Sequence, residues 1–190
     1  MNYYKGIVLL IFFTSLLGCA AAGVVYTSDP YKKIDNAYSL MRQGRAIPAE
    51  RLGKEALADF TKSSDKFGIA EAHLFFGQFY KHKTYRAYAS YYKDGNEYDP
   101  TNGKAIFHSA KAVETFINLG NYTQAAKAEF SLANSYIKSD KNKACQLYDK
   151  SLVSYEKGKK LNPGESFWFD PRFNSFEDLV NAYKKGKNCV

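Results

Sequence analysis

The chain has 190 residues, 24% of them charged and 45% hydrophobic, with a formal net charge of +8. That is one domain's worth of chain, long enough for a real core. Its lysines are scattered (Lys54, Lys62, Lys81, Lys93, Lys127, Lys143, Lys159), which marks solvated helix faces and argues against a nucleic-acid partner.

The amino terminus and Lys5 carry positive charge, and Gly6 to Leu17 is apolar apart from Thr14 and Ser15. A membrane span needs about 20 apolar residues and a secretory signal core about 7–15, so the run reads as a signal. The residues from Ala20 to Val25 could extend it into an uncleaved anchor, which is the alternative. The run ends in Leu16-Leu17-Gly18-Cys19, which resembles the lipobox of bacterial lipoproteins. That resemblance implies a diacylglycerol on the Cys19 thiol, cleavage before Cys19 and acylation of the new amino terminus. Ordinary cleavage near Ala20 to Gly23, discarding Cys19, is the competing reading. Two or three acyl chains hold a protein durably, whereas one myristoyl chain does so only marginally. Ala20, where an Asp would imply retention in the inner membrane, implies the periplasmic face of the outer membrane. The inner membrane or secretion are the alternatives.

Residues 1–18 are thus read as signal and 19–30 as tether. With Cys19 lipidated, Cys145 and Cys189 remain, and the oxidising periplasm predicts a bridge between them.

Asp29-Pro30 reads as an N-cap with Pro at the first helical position. Ile34, Tyr38 and Met41 mark a first helix ending near Gly44. A second runs from about Pro48 through Leu52, Ala56, Leu57 and Phe60. The third is aromatic (Leu74, Phe75, Phe76, Phe79, Tyr80). A fourth is expected from about Thr84 to Asp94, closed by Asp94-Gly95-Asn96, with Asp99-Pro100 as a further break. The fifth spans Lys104 to Leu119, the sixth Thr123 to about Lys138, the seventh about Asn142 to Lys160. Leu161 to Asn174, with Trp168, reads as a loop. Ser175-Phe176-Glu177-Asp178 opens a last helix to about Gly186. No alternating strand pattern competes, so the expected class is all-α.

Successive helices of this kind stack as repeats when a small-residue motif recurs at a fixed period. Gly77-x2-Tyr80 is followed by Ala89 and then Asp99-Pro100, Gly120-x-Tyr122-x2-Ala125 follows, and Leu132-Ala133-x2-Tyr136 precedes Ala144 and Tyr148. These stretches resemble the tetratricopeptide repeat, without its early tryptophan and with an apparent period nearer 36–40 residues than 34. The resemblance implies an α-α superhelix of hairpins over residues 31–160, with Ala89 packed against Gly77. Residues 161–190 would supply a loop and a capping helix. It also implies a concave peptide-binding groove lined by the first helix of each pair. Gln78, Lys81 and His82 would face it in one unit and Asn118 in the next, with Lys127, Asn134 and Lys138 if the sixth helix plays that part. Asn and Lys there suit a peptide backbone or carboxylate. Of the belt Tyr85, Tyr88, Tyr91, Tyr92 and Tyr98, some are expected at a binding surface and the rest as packing residues with wet tips.

The sequence holds no Gly-x-Ser-x-Gly elbow, no phosphate-cradling glycine loop and no His or Cys spacing suited to a metal or cofactor. The expected function is therefore non-enzymatic: a lipid-anchored scaffold that binds envelope proteins, in an assembly or secretion machine. A docking regulator of a cell-wall enzyme and a hydrolase with an unrecognised site are the alternatives.

Overall fold

A computed structural model describes residues 24–95, 97–165 and 169–189, so the apolar run, Cys19 and Trp168 lie outside the described residues. These form nine α-helices and no strand: α1 Pro30–Arg42, α2 Ala46–Ser63, α3 Lys66–Phe79, α4 Lys83–Ala87, α5 Ala89–Asp94, α6 Gly103–Asn118, α7 Tyr122–Tyr136, α8 Lys141–Leu161 and α9 Phe176–Gly186. The all-α class is as the sequence indicates.

Local chemistry sets the helix ends. The Asp29 carboxylate accepts from the Tyr31 amide at 2.9 Å, with Pro30 at N1. Asp65, Asn121, Asp140 and Ser175 cap α3, α7, α8 and α9 in the same way, at 2.9, 3.0, 2.9 and 2.9 Å. Each cap stabilises by about 1 kcal/mol. Gly44 (φ +80°) and Gly120 (φ +71°) take the left-handed conformation that reverses the chain after α1 and α6.

The long helices are antiparallel neighbours. α1 packs on α2, α3 on α6, and α7 on α8; α2 meets α3, α6 meets α7, and α9 lies on α8. α1, α3 and α7 also touch in that order, side by side. Three apolar clusters follow the pairing. Phe60, Phe75, Phe76 and Phe79 dominate the first, Ala70, Leu74 and Phe116 the second, and Tyr148, Phe176 and Val180 the third. A buried aromatic or aliphatic side chain contributes about 1.5–3 kcal/mol.

The expected pairing of the third helix needs correction. A Cβ on Gly77 would lie 2.2 Å from Ser109 Oγ and 3.0 Å from the Ser109 amide nitrogen. The small residue therefore lets α3 approach α6, and Ser109, not Ala89, lies against it. Residues 80–102 are inserted between these partners. The helix expected there is two short ones, α4 and α5, meeting at Tyr88 (φ −99°, ψ 21°). The insertion docks through Tyr85, which is fully buried, 5.1 Å from the Tyr80 ring and 5.6 Å from Phe79. The Tyr85 hydroxyl donates to the Glu97 carbonyl at 3.1 Å and accepts from the Asp99 amide at 2.9 Å. Thr84 Oγ1 donates to the Met41 carbonyl at 2.8 Å, and Asn102 Nδ2 to the Ser135 carbonyl at 3.4 Å. The insertion thus straps the end of α1 to the end of α7.

Candidate interaction face

α1, α3 and α7 each open a hairpin, so their contact makes one continuous face. Asp35 is exposed there, and Tyr38, Glu71, Gln78 and Lys127 are half-buried. Burial raises the Glu71 carboxyl above its ordinary range; the Lys127 ammonium opposes that shift and the Asp35 carboxylate adds to it. Burial likewise lowers Lys127, offset by Glu71 and by Glu165 from the loop after α8. Charges from three helices and one loop therefore act on one another across this face.

The residues expected to line a groove have unequal situations. Lys81 Nζ donates to the Ser131 carbonyl at 2.7 Å and to Ser131 Oγ at 2.8 Å. Among the described residues no carboxylate pairs with it, and burial lowers its pKa to about 7. Asn134 Nδ2 donates to the Phe130 carbonyl at 2.9 Å, and its Oδ1 accepts from the Tyr148 hydroxyl at 2.9 Å. His82 caps α4, its Nδ1 accepting from the Thr84 amide at 3.2 Å. These three side chains tie elements of the fold together. Asn118 is exposed at the far end of the α3–α6 pair, on a shallow depression with Lys66, Ile69 and Glu114. Antiparallel pairing puts Phe67 against Phe116 (5.6 Å) there and Gly77 against Ser109 at the other end, so Asn118 does not join Gln78. Lys138 is exposed beyond α7. Gln78 and Lys127 remain on the shared face.

The tyrosine belt divides. Tyr85 and Tyr92 are core residues, Tyr98 is half-buried, and Tyr88 and Tyr91 are 37% and 55% exposed.

Two arrangements escape sequence reasoning. Ser131 and Lys81 make the contact of a nucleophile and a base. Ser131 is only 2% exposed, however, and its hydroxyl also meets Ser109 Oγ at 3.1 Å. The arrangement is a buried polar junction between α3, α6 and α7. The second is His73 and His108, whose Nδ1 atoms lie 2.9 Å apart between α3 and α6. Burial lowers both, His108 to about 4, with His73 and Lys104 adding to that shift. The separation of 35 residues carries no motif, so only the helix pairing exposes it.

The structure joins Cys145 on α8 to Cys189 beyond α9 by a disulfide, with Cα atoms 5.3 Å apart. Among the described residues no group of three His, Cys, Asp or Glu side chains is placed to hold a metal ion. None of the described helices is long and apolar enough to cross a membrane. No protein family, curated protein or solved structure matches the chain.

Proposed function

We propose that this is a non-enzymatic envelope protein, held at the periplasmic face of the outer membrane by lipid on Cys19. Its tetratricopeptide-like helical array docks a segment of another protein. The observation that carries this reading is the side-by-side contact of α1, α3 and α7. Each is the first helix of its hairpin, and together they offer one face several turns wide. Close approach at Gly77 and Ser109 supports the same reading, because a small residue facing a small residue is how paired repeat helices nest. The mixed charge of Asp35, Glu71 and Lys127, with the amide of Gln78 about two turns further along α3, suits an extended peptide held by backbone and side-chain hydrogen bonds.

The test is photo-crosslinking in intact cells. A photoreactive residue at Asp35 or Gln78 is expected to give one discrete protein adduct, and one at Ala110, exposed on α6, none. Adducts of equal yield from position 110, or none from 35 and 78, would remove the docking face. The anchor has a separate test. Cys19→Ser is expected to abolish acyl labelling and release the protein from membranes; a labelled variant sinks it.

A further inference from the structure

In sequence the basic residues are dispersed; the fold gathers ten of them. Because consecutive long helices alternate in direction, every second turn falls on the same edge of the array. One edge holds the α1–α2 turn, the inserted α4–α5 strap, the α7–α8 turn and the end of α9. The hydrogen bonds from Thr84 to Met41 and from Asn102 to Ser135 make it continuous.

That edge is basic. Arg42 and Arg45 are exposed on the first turn, and Lys83, Arg86 and Lys93 on the strap. Lys138, Lys141 and Lys143 flank the α7–α8 turn, and Lys185 and Lys187 are brought beside them by the Cys145–Cys189 bond. Among the described residues none of these ten cations lies within ion-pair distance of a carboxylate. Asp94 and Glu97 are the exposed acids of the strap; Asp99 and Asp140 bind backbone amides, and Glu50 is buried under Tyr80. At the opposite side the charge is mixed: Lys33 pairs with Asp59 and Glu55, Lys111 pairs with Glu114, and the exposed Lys62, Lys66, Lys157, Lys159 and Lys160 share that side with the exposed acids Glu156, Glu177 and Asp178.

A second observation gives the edge its partner. The chain before α1 runs back along that helix: Asn36 Nδ2 donates to the Val25 carbonyl at 3.2 Å. Asn36 lies about 9 Å beyond the start of α1, in the direction of the basic edge. The five residues from Val24 back to Cys19 reach at most about 17 Å further. Tyr88 and Tyr91, exposed on the strap, have the amphipathic ring suited to a headgroup layer.

We propose that the basic edge lies against an anionic phospholipid surface, the one in which the Cys19 lipid would be seated. This rests on the anchor reading for its occupant, and its test does not use the anchor. All the described packing is within residues 24–189, so a chain beginning at Ala20 keeps the whole core. That chain is floated with vesicles of phosphatidylethanolamine and phosphatidylglycerol, and with vesicles of phosphatidylcholine alone. Flotation is expected only with phosphatidylglycerol, and should fall as salt is raised. Each lysine near an anionic surface strengthens binding about fivefold. Lys138→Glu with Lys141→Glu and Lys143→Glu is therefore expected to weaken partitioning at least about tenfold, while Lys62→Glu with Lys66→Glu leaves it unchanged. Circular dichroism checks that both variants remain folded. Absence of a phosphatidylglycerol requirement, or equal loss from the two variants, overturns the proposal. Binding of soluble polyglutamate without vesicle binding also overturns it and makes an acidic protein segment the partner.

Discussion

The two ends of the array are built by different means. Around α3, the first half fills space with rings: Phe60, Phe75, Phe76, Phe79, Tyr80 and Tyr85 are all buried, in one cluster. Around α7, the second half removes the space. Ala125, Ala126, Ala128, Ser131, Ala133 and Ser135 are buried, and a Cβ on Gly158 would lie 2.6 Å from the Thr123 amide nitrogen. The first half gains from apolar area, the second from close backbone approach and a covalent bond. The second also encloses a charge: Glu129 is wholly buried, its carboxylate 3.2 Å from Lys150 Nζ but not aligned as a hydrogen bond. With Lys150 exposed, the pair offsets little of the cost of burying the Glu129 carboxylate, so the disulfide matters more there.

The comparison can be broken from either side. Phe79→Ala removes a ring that meets Phe75, Tyr80 and Tyr85. It is expected to cost about 3–5 kcal/mol in urea unfolding, with loss of the docked strap. Full stability in that variant would show the aromatic cluster to be dispensable. Next in size, replacing Cys145 and Cys189 by Ser together opens a loop of 44 residues. The expected loss is about 2–4 kcal/mol, seen by hydrogen exchange at α8 and α9 while α1–α3 keep their protection. Equal loss in both halves would mean that they unfold as one unit.

The smallest effect is that of pH, and it has opposite signs in the two halves. His108 titrates at about 4 in the fold against an ordinary 6.5. The unfolded chain thus binds the proton first, and stability is lost as pH falls from about 6.5 towards 4. Burial raises the Glu129 carboxyl, so its burial cost is relieved as pH falls through its folded pKa. Taking the sample from pH 7 to pH 5 should therefore weaken exchange protection at the α3–α6 contact by about 1 kcal/mol while α7 holds or gains. His108→Phe should flatten the first response; an unchanged profile in that variant would assign the acid sensitivity elsewhere.

Helix positions were largely legible, because capping side chains such as Asp29, Asp140 and Ser175 announce themselves next to apolar periodicity. Pairing was not. The inserted residues carry the same helical spacing and the same break at Asp99-Pro100 that a second repeat helix would. Periodicity records which residues face inward and is silent on which helix they face, so Ala89 was indistinguishable from Ser109 as the neighbour of Gly77. The candidate groove met the same limit. Lys81 and Asn134 have the chemistry of peptide ligands, but Ser131 and Tyr148, 50 and 14 residues away, already engage them. A subset of the basic residues shows the converse: ten of them, dispersed along the chain, meet at one edge because the helices alternate in direction.

The strap has a mechanical consequence. In a row of hairpins with only nearest-neighbour contacts, flexing spreads evenly through the joints. Here residues 80–102 bolt the end of α1 to the end of α7 across α3. The row is bound along one side like the spine of a book. Whatever bending the array undergoes must fan its pages at the other side, around the α2–α3 and α6–α7 turns.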